Sequence, residues 1–296
     1  MEKMYEKIVG AVPVELLLKE LQDVELICKT NMGDNHIYIT NHHKSLNIMK
    51  EIGRLREIGF RSMGAGTGKE VDIDEYDIAD VPFDQLIVWD PDHNEITGAY
   101  RFIVMSELIF DSPTSYLFDL QLNFQEEIKP YAIELGRSFV NFDSKKFRYA
   151  LHNLWDGLSY LTKGYPNIKY FFGKMTLYPW LLEDKLDVLL SFLDEMFPSD
   201  KSVVPKNPIV FSKINDFVKD IGLDSNRKKL REKFKEGNKK SVPPLVNAYV
   251  KLSETMKFLG ASVNARFGDV VEGCILLTIA DIDPEVLREH TKQLLK

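Results

Sequence analysis

The order of apolar and polar residues predicts helices and a strand in the first part of the chain. Apolar residues recur near helical spacing between residues 4 and 28, with Pro13 as an interruption, so one or two short helices are expected there. Residues 35–40 have the pattern of a short strand, and residues 43–58 that of an amphipathic helix. The glycines of 64–68 then predict a mobile loop.

Four further strands are predicted in the middle of the chain. They cover residues 84–89, 95–105, 131–142 and 168–174. Turn-forming residues at 90–94 join the first two as a hairpin, and leucines at helical spacing predict a long helix over 146–163, between the last two. A strand, a helix and a strand in this order form a crossover with parallel strands. The expected fold class is α+β, with a mixed, mostly antiparallel sheet, one parallel crossover and flanking helices.

The chain after residue 178 is expected to be mostly helical. Helices are predicted over residues 181–197, 211–221 and 245–259, a basic helix or arm over 226–240, and a buried strand over 271–280. Neither a repeat nor a low-complexity linker separates this part from the rest. We expect a core of residues 1–178, with N-terminal helices, and an extension of residues 179–296 packed on it.

Composition narrows the classes of function. The 296 residues are 44% hydrophobic, so a large core is available, and 38 basic against 45 acidic residues give a net charge of -7. This charge argues against nucleic acid as a partner. Cys28 and Cys274 suggest no disulfide framework, and we find neither a signal peptide nor an apolar run of about 20 residues. A cytoplasmic protein is expected, whose membrane contacts are peripheral.

An acidic segment follows the glycine-rich loop. Asp72, Asp74, Glu75 and Asp77 place four carboxylates within six residues. A solvated turn is one interpretation, because acidic turns are common. A cradle for an ammonium group is the other.

Arg101 lies within a strand that the pattern predicts to be buried. Ala99 and Ile103 share its face, and Tyr100 and Phe102 lie on the other. A guanidinium stays charged and is costly to bury alone, so a carboxylate is expected beside it. That carboxylate belongs either to the protein, as a buried ion pair, or to a substrate.

The segment Glu134-Leu135-Gly136-Arg137-Ser138 carries two charges in a strand with apolar flanks. In a regular strand, residues three apart point to opposite faces, which would separate Glu134 from Arg137. A β-bulge at Gly136 would invert this parity and bring both side chains to one pocket. We therefore predict a bulge here.

Three other motifs are incomplete. Residues 64–69 resemble a phosphate-binding loop, but Met63 replaces its first glycine and Glu70 replaces the residue that would hold magnesium. The six histidines form no metal-ligand motif, and no Gly-x-Ser-x-Gly elbow is present. We expect neither a metal site nor a serine hydrolase.

Six motifs occur in a fixed order along the chain. They are Asp74-Glu75-Tyr76-Asp77, Phe83-Asp84-Gln85-Leu86-Ile87-Val88, Gly98-Ala99-Tyr100-Arg101, Phe118-Asp119-Leu120, Glu134-Leu135-Gly136-Arg137-Ser138 and Leu154-Trp155-Asp156-Gly157-Leu158. Together they resemble the GNAT-like N-acyltransferases that make ornithine and glycine lipids, a group also labelled hemolysins. The resemblance covers residues 50–178 and, more loosely, 241–280. It implies a GNAT-like fold and transfer of a long fatty acyl group, with a 3-hydroxyacyl group as a variant, from acyl carrier protein to the amine of glycine or ornithine.

A subset of positions also resembles the N-acyl-homoserine-lactone synthases, a sister group on the same fold. The shared positions are Arg56, Phe60, Asp74, Asp77, Arg101, Glu134 and Arg137. Those enzymes use acyl-carrier-protein thioesters and an amine derived from an amino acid. Their chains usually end soon after the core, whereas a long segment follows Leu177 here. The lipid-synthase type is therefore preferred.

The resemblance implies direct attack of an amine on a thioester. An amine with a pKa of about 8 must lose a proton first, and Glu134 is the candidate base, directly or through water. Arg101 and Arg137 are the other catalytic candidates, which would hold the acceptor carboxylate or the acidic segment. Substrate contacts are expected from the following residues: Arg56, Phe60, Asp74, Asp77, Gly136 and Ser138. Backbone N–H groups at 136–138 would stabilise the oxyanion.

The loop after the central strand departs from the usual GNAT pattern. Typical GNAT proteins hold the pyrophosphate of coenzyme A on a glycine-rich, basic loop, but residues 141–150 are basic without glycine. Lys145, Lys146 and Arg148 would suffice for the single phosphate diester on the pantetheine arm of a carrier. Acyl carrier protein is thus the expected donor and partner, ahead of acyl-CoA, and no bound cofactor is expected.

Two rival functions stay open. One is an N-acyl-homoserine-lactone-type synthase. The other is a non-catalytic GNAT-fold protein that binds acyl carriers or lipid.

A basic segment at residues 227–240 has eight cations against Glu232 and Glu236. A solvated helix is one interpretation. A landing surface for an acidic carrier, or for the inner face of an anionic membrane, is the other. Leu230 and Phe234, with the phenylalanines of 211–217, would then add a shallow apolar contact.

Overall fold

A computed structural model describes residues 5–182, 185–236 and 241–292. Its strands are β1 Leu26–Lys29, β2 His36–Thr40, β3 Asp84–Asp90, β4 Glu95–Val104, β5 Phe118–Leu120, β6 Ala132–Val140, β7 Tyr170–Leu177, β8 Val203–Pro205, β9 Lys257–Asn264 and β10 Val270–Thr278. The helices are α1 Val14–Leu21, α2 Leu46–Ser62, α3 Glu75–Ile78, α4 Phe147–Gly164, α5 Pro179–Leu182, α6 Leu186–Met196, α7 Leu223–Lys235, α8 Pro244–Leu252 and α9 Pro284–His290.

Eight of these strands form one mixed sheet. Their order is β1-β2-β3-β4-β6-β7-β10-β9, and β5 and β8 make a separate pair. Neighbours in the large sheet are antiparallel except β6 and β7, which are parallel and joined by α4. The predicted class, a mixed and mostly antiparallel sheet with one parallel crossover, is confirmed.

Helices cover the two faces of the sheet because apolar side chains alternate along the central strands. On one face, Ile87 and Ala99 pack with Ile52 of α2. On the other, Leu86 and Tyr100 pack against the leucines of α4. We call these the α2 face and the α4 face. This alternation fixes which side each functional residue of the sheet faces.

Several predicted elements differ in the structure. Between residues 5 and 28 the structure has one helix, α1, and the strand β1 begins at Leu26 in place of a second helix. The prediction of a helix over 211–221 is wrong, since the segment has only a 3₁₀ turn at Lys219–Ile221. Two of its backbone N–H groups bond to side chains of α6 instead of to carbonyl groups of a helix. Ser212 N donates to Asp187 Oδ2 at 3.1 Å, and Ile214 N donates to Ser191 Oγ at 2.9 Å.

The C-terminal part adds more sheet than the sequence indicates. The helix predicted over 245–259 ends at Leu252, and β9 begins at Lys257. Apolar residues continue through both, so helical spacing alone hides the change of structure. The predicted strand over 271–280 is β10, and with β9 it forms a hairpin beside β7.

The glycine-rich loop is anchored rather than mobile. The carboxylate of Glu57 accepts hydrogen bonds from Gly68 N at 2.7 Å and from Thr67 Oγ1 at 2.9 Å. Ala65 in the same loop is fully buried. The left-handed glycines therefore shape a fixed turn around one carboxylate.

The parallel strands β6 and β7 separate part-way along their length. They pair only from Ala132 with Tyr170 to Leu135 with Gly173. Beyond that point each strand keeps its other neighbour, β4 for β6 and β10 for β7, but the two strands no longer bond to each other. A Cβ atom at Gly173 would collide with the carbonyl oxygen of Leu135. Glycine at this position therefore allows the close contact of the last pair. We call the gap that opens between β6 and β7 after this pair the splay.

Replacing Gly173 by Ala should therefore destabilise the fold by about 1–3 kcal/mol, because backbone must move to admit the methyl group. The thermal unfolding midpoint measures this. The matched control is Gly10→Ala, where an added Cβ meets no atom within 4 Å. A Gly173→Ala midpoint equal to that control would contradict the close approach of the two strands.

Candidate functional site

A row of polar residues crosses the α2 face of the sheet. Residues paired across strands share a face. Arg101 on β4 pairs with Gly136, and Glu134 on β6 lies two residues before Gly136, on the same face. Thr176 on β7 pairs with Glu272 on β10, and Lys174 lies two residues before Thr176. Arg101, Glu134, Lys174 and Glu272 therefore point to one side.

A cavity of about 1220 Å³ opens at the splay and reaches both faces of the sheet. On the α2 face its wall includes the polar row and Asn264 of β9. On the α4 face its wall is apolar and includes Leu135, Leu154 and Leu245. Because the residues of one continuous cavity come from both sides, the cavity passes through the sheet between β6 and β7.

The acidic segment is a capped helix rather than a solvated turn. Asp74 precedes α3, and its Oδ1 accepts hydrogen bonds from Tyr76 N at 3.1 Å and Asp77 N at 3.3 Å. In return Asp77 Oδ2 accepts from Asp74 N at 3.1 Å. This reciprocal capping box holds the segment rigidly and fixes the two carboxylates in place for partners on the sheet and on α2.

Arg56 of α2 lies completely buried under the acidic segment. Its guanidinium donates to Asp77 Oδ2 at 3.0 Å and to the backbone oxygen of Asp72 at 3.2 Å. It also donates to Gln85 Oε1 at 2.7 Å. Arg56 does not line the cavity but fixes α3 to the sheet.

Arg101 has the carboxylate partner that the sequence predicts. Its Nη1 lies 2.6 Å from Asp74 Oδ1 and 3.2 Å from Asp77 Oδ2. The rings of Tyr76 and Phe83 lie 5.7 and 5.1 Å from the guanidinium carbon. The partner is thus the protein itself, as a buried ion pair.

The predicted bulge at Gly136 is confirmed. Ala99 and Arg101 on β4 face Phe139 and Gly136 on β6, so β6 has one residue more in this interval. Arg137 takes a left-handed φ of 49°, which is unusual for a residue with a side chain. Both Glu134 and Arg137 line the cavity.

Contacts at three sides hold Arg137 in this conformation. Its Nε lies 3.0 Å from Asp72 Oδ2, and its Nη2 lies 3.5 Å from Asp74 Oδ2. The guanidinium carbon lies 4.5 Å from the ring centre of Phe267. Backbone strain of this kind persists where the surroundings over-determine the conformation, as at functional sites.

The buried charges shift the pKa values of their partners in opposite directions. Burial would raise the pKa of Asp77, but the Arg56 and Arg101 guanidiniums outweigh it and hold that pKa well below its usual range. A lowered carboxyl pKa contributes stability above the unfolded-state pKa and loses it only as the pH falls through the folded-state pKa. For Asp72, burial dominates and raises the pKa despite Arg137 and Arg56. Of these two carboxylates, Asp77 is the one whose charged form the neighbouring guanidiniums favour over burial.

Glu134 is buried at the cavity wall with partners that the sequence did not indicate. Its Oε2 accepts from Ser112 Oγ at 2.6 Å, and its Oε1 accepts from Thr114 Oγ1 at 2.7 Å. Lys174 Nζ donates to Thr114 Oγ1 at 2.9 Å, and burial lowers the pKa of Lys174. Ser112 caps a short 3₁₀ helix over Pro113–Tyr116, which also contains Thr114. The Ser-Pro start is a local signal for such a helix, but nothing local indicates that it contacts Glu134.

The C-terminal hairpin contributes polar residues that sequence reasoning also missed. Glu272 of β10 and Asn264 of β9 line the cavity on the α2 face. They lie in apolar strands far along the chain from the other site residues. Only the place of β10 beside β7 brings them to the splay.

The candidate substrate and carrier contacts divide into two groups. Phe60, Asp74, Gly136, Ser138 and Arg148 line the cavity. Asp77, like Arg56, lies behind the wall. The side chain of Lys145 is exposed outside it, and Lys146 is engaged in ion pairs with Asp90 at 3.0 Å and Asp92 at 2.7 Å.

The apolar residues of the basic segment are core residues. Leu230 and Phe234 of α7 are buried, as is Phe217, so the expected shallow apolar contact with a membrane is wrong. Three cations, Lys228, Arg231 and Lys235, are exposed on α7. Lys239 and Lys240 lie outside the described residues.

Two histidines meet away from the cavity although no sequence spacing relates them. His290 Nδ1 lies 2.7 Å from Asp156 Oδ1, and His152 Nε2 lies 3.7 Å from it. Asp156 also accepts a hydrogen bond from the backbone of Asn31 at 2.8 Å. These atom types are ones that zinc accepts as ligands. In the structure they tie α9 to α4.

Comparison with known proteins places the chain in a family. A family model for an acetyltransferase (GNAT) domain matches residues 55–155. A glycine N(alpha)-acyltransferase of Phocaeicola vulgatus is 40% identical over 310 aligned residues, covering 98% of this chain and 94% of that protein. The chain belongs to the glycine N-acyltransferase family. A second member, from Bacteroides thetaiotaomicron, is 41% identical over 295 residues, covering 94% of this chain and 87% of that protein.

The enzyme is therefore a GNAT-type acyltransferase that transfers an acyl group to an amine. This confirms the resemblance to GNAT-like N-acyltransferases. The family model ends at residue 155, whereas the two relatives align across almost the whole chain. Similarity to the family thus includes the β9–β10 hairpin of the acyltransferase.

Solved structures of acyl-homoserine-lactone synthases are more distant from this acyltransferase. The AHL synthase LasI is 12% identical with a TM-score of 0.41, covering 82% of this chain and 90% of that chain. The CoA-dependent synthase BjaI, solved with SAM and isopentyl-CoA, is 12% identical with a TM-score of 0.41, covering 87% and 88%. They differ too much from this chain to assign its donor or acceptor.

Among the described helices of the acyltransferase, none has the length and apolar character needed to cross a bilayer.

Replacing Arg56 by Met should lower the free energy of unfolding by about 3–5 kcal/mol, because Asp77 and Gln85 lose a buried partner. Urea unfolding measures this against Lys50→Met, at an exposed position of the same helix. Arg56→Lys should restore only part of the loss, since an ammonium group cannot reproduce the guanidinium fork. Equal stabilities of the Arg56→Met and Lys50→Met variants would contradict the anchoring role of Arg56.

Proposed function

We propose that the enzyme moves a long fatty acyl group from a carrier-protein thioester to the amine of glycine. The observation that carries this proposal is the cavity that passes through the sheet at the splay. It joins an apolar space to a polar one, as a reaction between a lipid chain and a charged amino acid requires. The names of the two relatives, both glycine N(alpha)-acyltransferases, point to glycine rather than ornithine.

The α4 face suits the acyl chain. Leu135, Leu151, Leu154, Leu182 and Leu245 line the cavity there. Its volume of about 1220 Å³ exceeds the roughly 300–1,000 Å³ of ordinary ligand pockets. A short acetyl group would leave most of this space unfilled, so a long chain is the better match.

The cavity mouth favours a carrier protein over coenzyme A. Phe142 and Phe147 are exposed there beside Arg148. The charge of Lys146 is neutralised by Asp90 and Asp92, which leaves few cations for the phosphates of coenzyme A. A carrier brings one phosphate diester and a protein surface that the exposed aromatic rings can contact.

The reaction on this site is aminolysis of a thioester. The glycine ammonium gives one proton to Glu134 through a water molecule, and the amine nitrogen attacks the carbonyl carbon. Collapse of the tetrahedral intermediate breaks the C–S bond, and the leaving sulfur takes the second proton of the nitrogen. The products are N-acylglycine and the free carrier thiol.

The bulge supplies donors for the intermediate. Within the described strands, Arg137 and Ser138 have no ladder partner on β4, because Gly136 and Phe139 flank the extra residue. Their backbone N–H groups are the candidates for an oxyanion site at the splay. A fixed bulge holds such donors in place before the reaction begins.

Peripheral contact with an anionic membrane stays a prediction. It is supported by the exposed cations Lys228, Arg231 and Lys235 of α7. The same charges suit an acidic carrier protein. Charge alone supports both partners equally.

The test is an acyl-transfer assay read by mass spectrometry. Purified enzyme receives a long-chain 3-hydroxyacyl group on acyl carrier protein or on coenzyme A, with glycine, ornithine, other amino acids or S-adenosylmethionine as acceptor. N-acylglycine from the carrier donor is the expected main product. Preferred acylation of S-adenosylmethionine would favour a homoserine-lactone type of enzyme, and transfer to no amine would contradict the proposal.

In this assay, Glu134→Gln should lower kcat about 10²- to 10⁴-fold, the usual contribution of a general base. The thermal midpoint should change little, because glutamine keeps the size of the side chain. Glu127→Gln, at an exposed position, is the matched control. Unchanged turnover of the Glu134→Gln variant would remove Glu134 as the base.

A further inference from the structure

Glu272 is a buried carboxylate beside the splay that the reaction described above does not use. It is 4% exposed and pairs with Thr176, just beyond the point where β7 leaves β6. Its side chain lines the cavity on the α2 face. It therefore faces the polar space where the amine must approach the thioester.

The carboxylate of Glu272 accepts only long hydrogen bonds from the described part of the protein. Thr176 Oγ1 donates to Oε2 at 3.2 Å, and Asn264 Nδ2 donates to Oε1 at 3.3 Å. Both are neutral donors at long distances, whereas hydrogen bonds to carboxylates normally measure about 2.7–2.9 Å. Within residues 5–182, 185–236 and 241–292, no cation lies within ion-pair distance of Glu272. A buried carboxylate without a cation is costly, so a partner from outside the chain is expected.

Three cations of the cavity wall have partners other than Glu272. Lys174 donates to Thr114, and Arg137 is paired with Asp72. The guanidinium of Arg266 lies 4.0 Å from the ring centre of Tyr116. None of these cations forms an ion pair with Glu272, although the carboxylate is near enough to Lys174 to oppose, with Glu134, the effect of burial on the pKa of that ammonium group.

Asn264 adds a second unsatisfied acceptor. It is 8% exposed and lines the same cavity, and its Oδ1 has no hydrogen-bond partner in the described part of the chain. Its Nδ2 faces Glu272, so the two side chains are neighbours. Each carboxylate oxygen of Glu272 can accept a further hydrogen bond, and the amide oxygen of Asn264, which is buried next to this carboxylate, also lacks a donor in the described part of the chain. An ammonium group, with three N–H donors and no acceptor, meets this need.

We propose that Glu272 and Asn264 form the subsite that binds the ammonium group of the acceptor amino acid. This inference rests on the proposed function, since it assigns the amine of that reaction to a place. Glu272 is a binding residue here, and Glu134 keeps the role of base. Because both subsite residues belong to the β9–β10 hairpin, this C-terminal hairpin recognises the acceptor.

The subsite predicts a separation of kinetic constants. In steady-state assays with saturating acyl carrier donor and varied glycine, Glu272→Gln should raise KM for glycine about 10- to 100-fold, as loss of a charged hydrogen bond implies. The kcat of this variant should stay within about threefold of the unmodified enzyme, because the lost contact is made equally in the ground state and the transition state. KM for the acyl donor should not change, because Glu272 does not contact the donor in this proposal. Asn264→Leu should raise KM for glycine in the same direction by a smaller factor.

Glu254→Gln, at an exposed position before β9, is the matched control and should resemble the unmodified enzyme. An unchanged KM for glycine in Glu272→Gln, or a loss confined to kcat, would overturn the subsite. If Glu272→Gln fails to fold, as judged by its thermal midpoint, the Asn264→Leu variant decides by the same criteria.

A binding measurement separates this inference from the proposed function. Ligand-observed NMR without acyl donor should show glycine and methylammonium competing for one site, with acetate absent from it. Glu272→Gln should abolish both signals. If the unmodified enzyme acylates no amine, the proposed function fails. The NMR binding of glycine and methylammonium still shows in that case whether Glu272 and Asn264 form an ammonium subsite. Methylammonium bound equally by Glu272→Gln and the unmodified enzyme would overturn it.

Discussion

The site depends on a cluster of six buried or half-buried charges, three arginines and three aspartates, between the acidic segment, α2 and the sheet. Three guanidiniums, of Arg56, Arg101 and Arg137, meet the carboxylates of the acidic segment. Each charge would be costly to bury alone, so removing one member leaves another unpaired. The cluster thereby fixes α3, the sheet and the bulge relative to one another.

The pairing also limits what the arginines can do for a substrate. Arg101 is shared between Asp74 and Asp77, and Arg137 between Asp72 and Asp74. Charges that already neutralise one another bind a further ion weakly. The network is best understood as the frame of the cavity wall, and it leaves recognition of the acceptor to less satisfied groups across the splay.

Much of the core of the site follows from the sequence. The order of strands and the long helix α4 give the crossover, and Gly136 between two charges gives the bulge. Arg101 in an apolar strand requires a carboxylate, which the acidic segment supplies. These predictions succeed because each depends on local spacing or on the cost of burying a charge.

The remaining residues depend on contacts between distant parts of the chain. Ser112 and Thr114 reach Glu134 from the 3₁₀ helix over Pro113–Tyr116 and its cap, and Glu272 reaches the splay only because β10 pairs with β7. Apolar residues recur at helical spacing through α8 and into β9, so this spacing does not show where the helix ends and the strand begins. Leu230 and Phe234 lie among charged residues in the sequence, which allows a surface contact, yet both are buried in the core.

The central claim is that acyl donor and amine meet where the cavity crosses the sheet. The most direct measurement is a crystal structure with a stable bisubstrate analogue, a long-chain N-acylglycine whose α-carbon on the acyl chain is joined by a thioether to the sulfur of a pantetheine arm. The account predicts the acyl chain on the α4 face against Leu135 and Leu154. It predicts the glycine nitrogen on the α2 face, between the bulge and β10. An acyl chain and a glycine on the same face of the sheet, or a conjugate bound outside the splay, would contradict it.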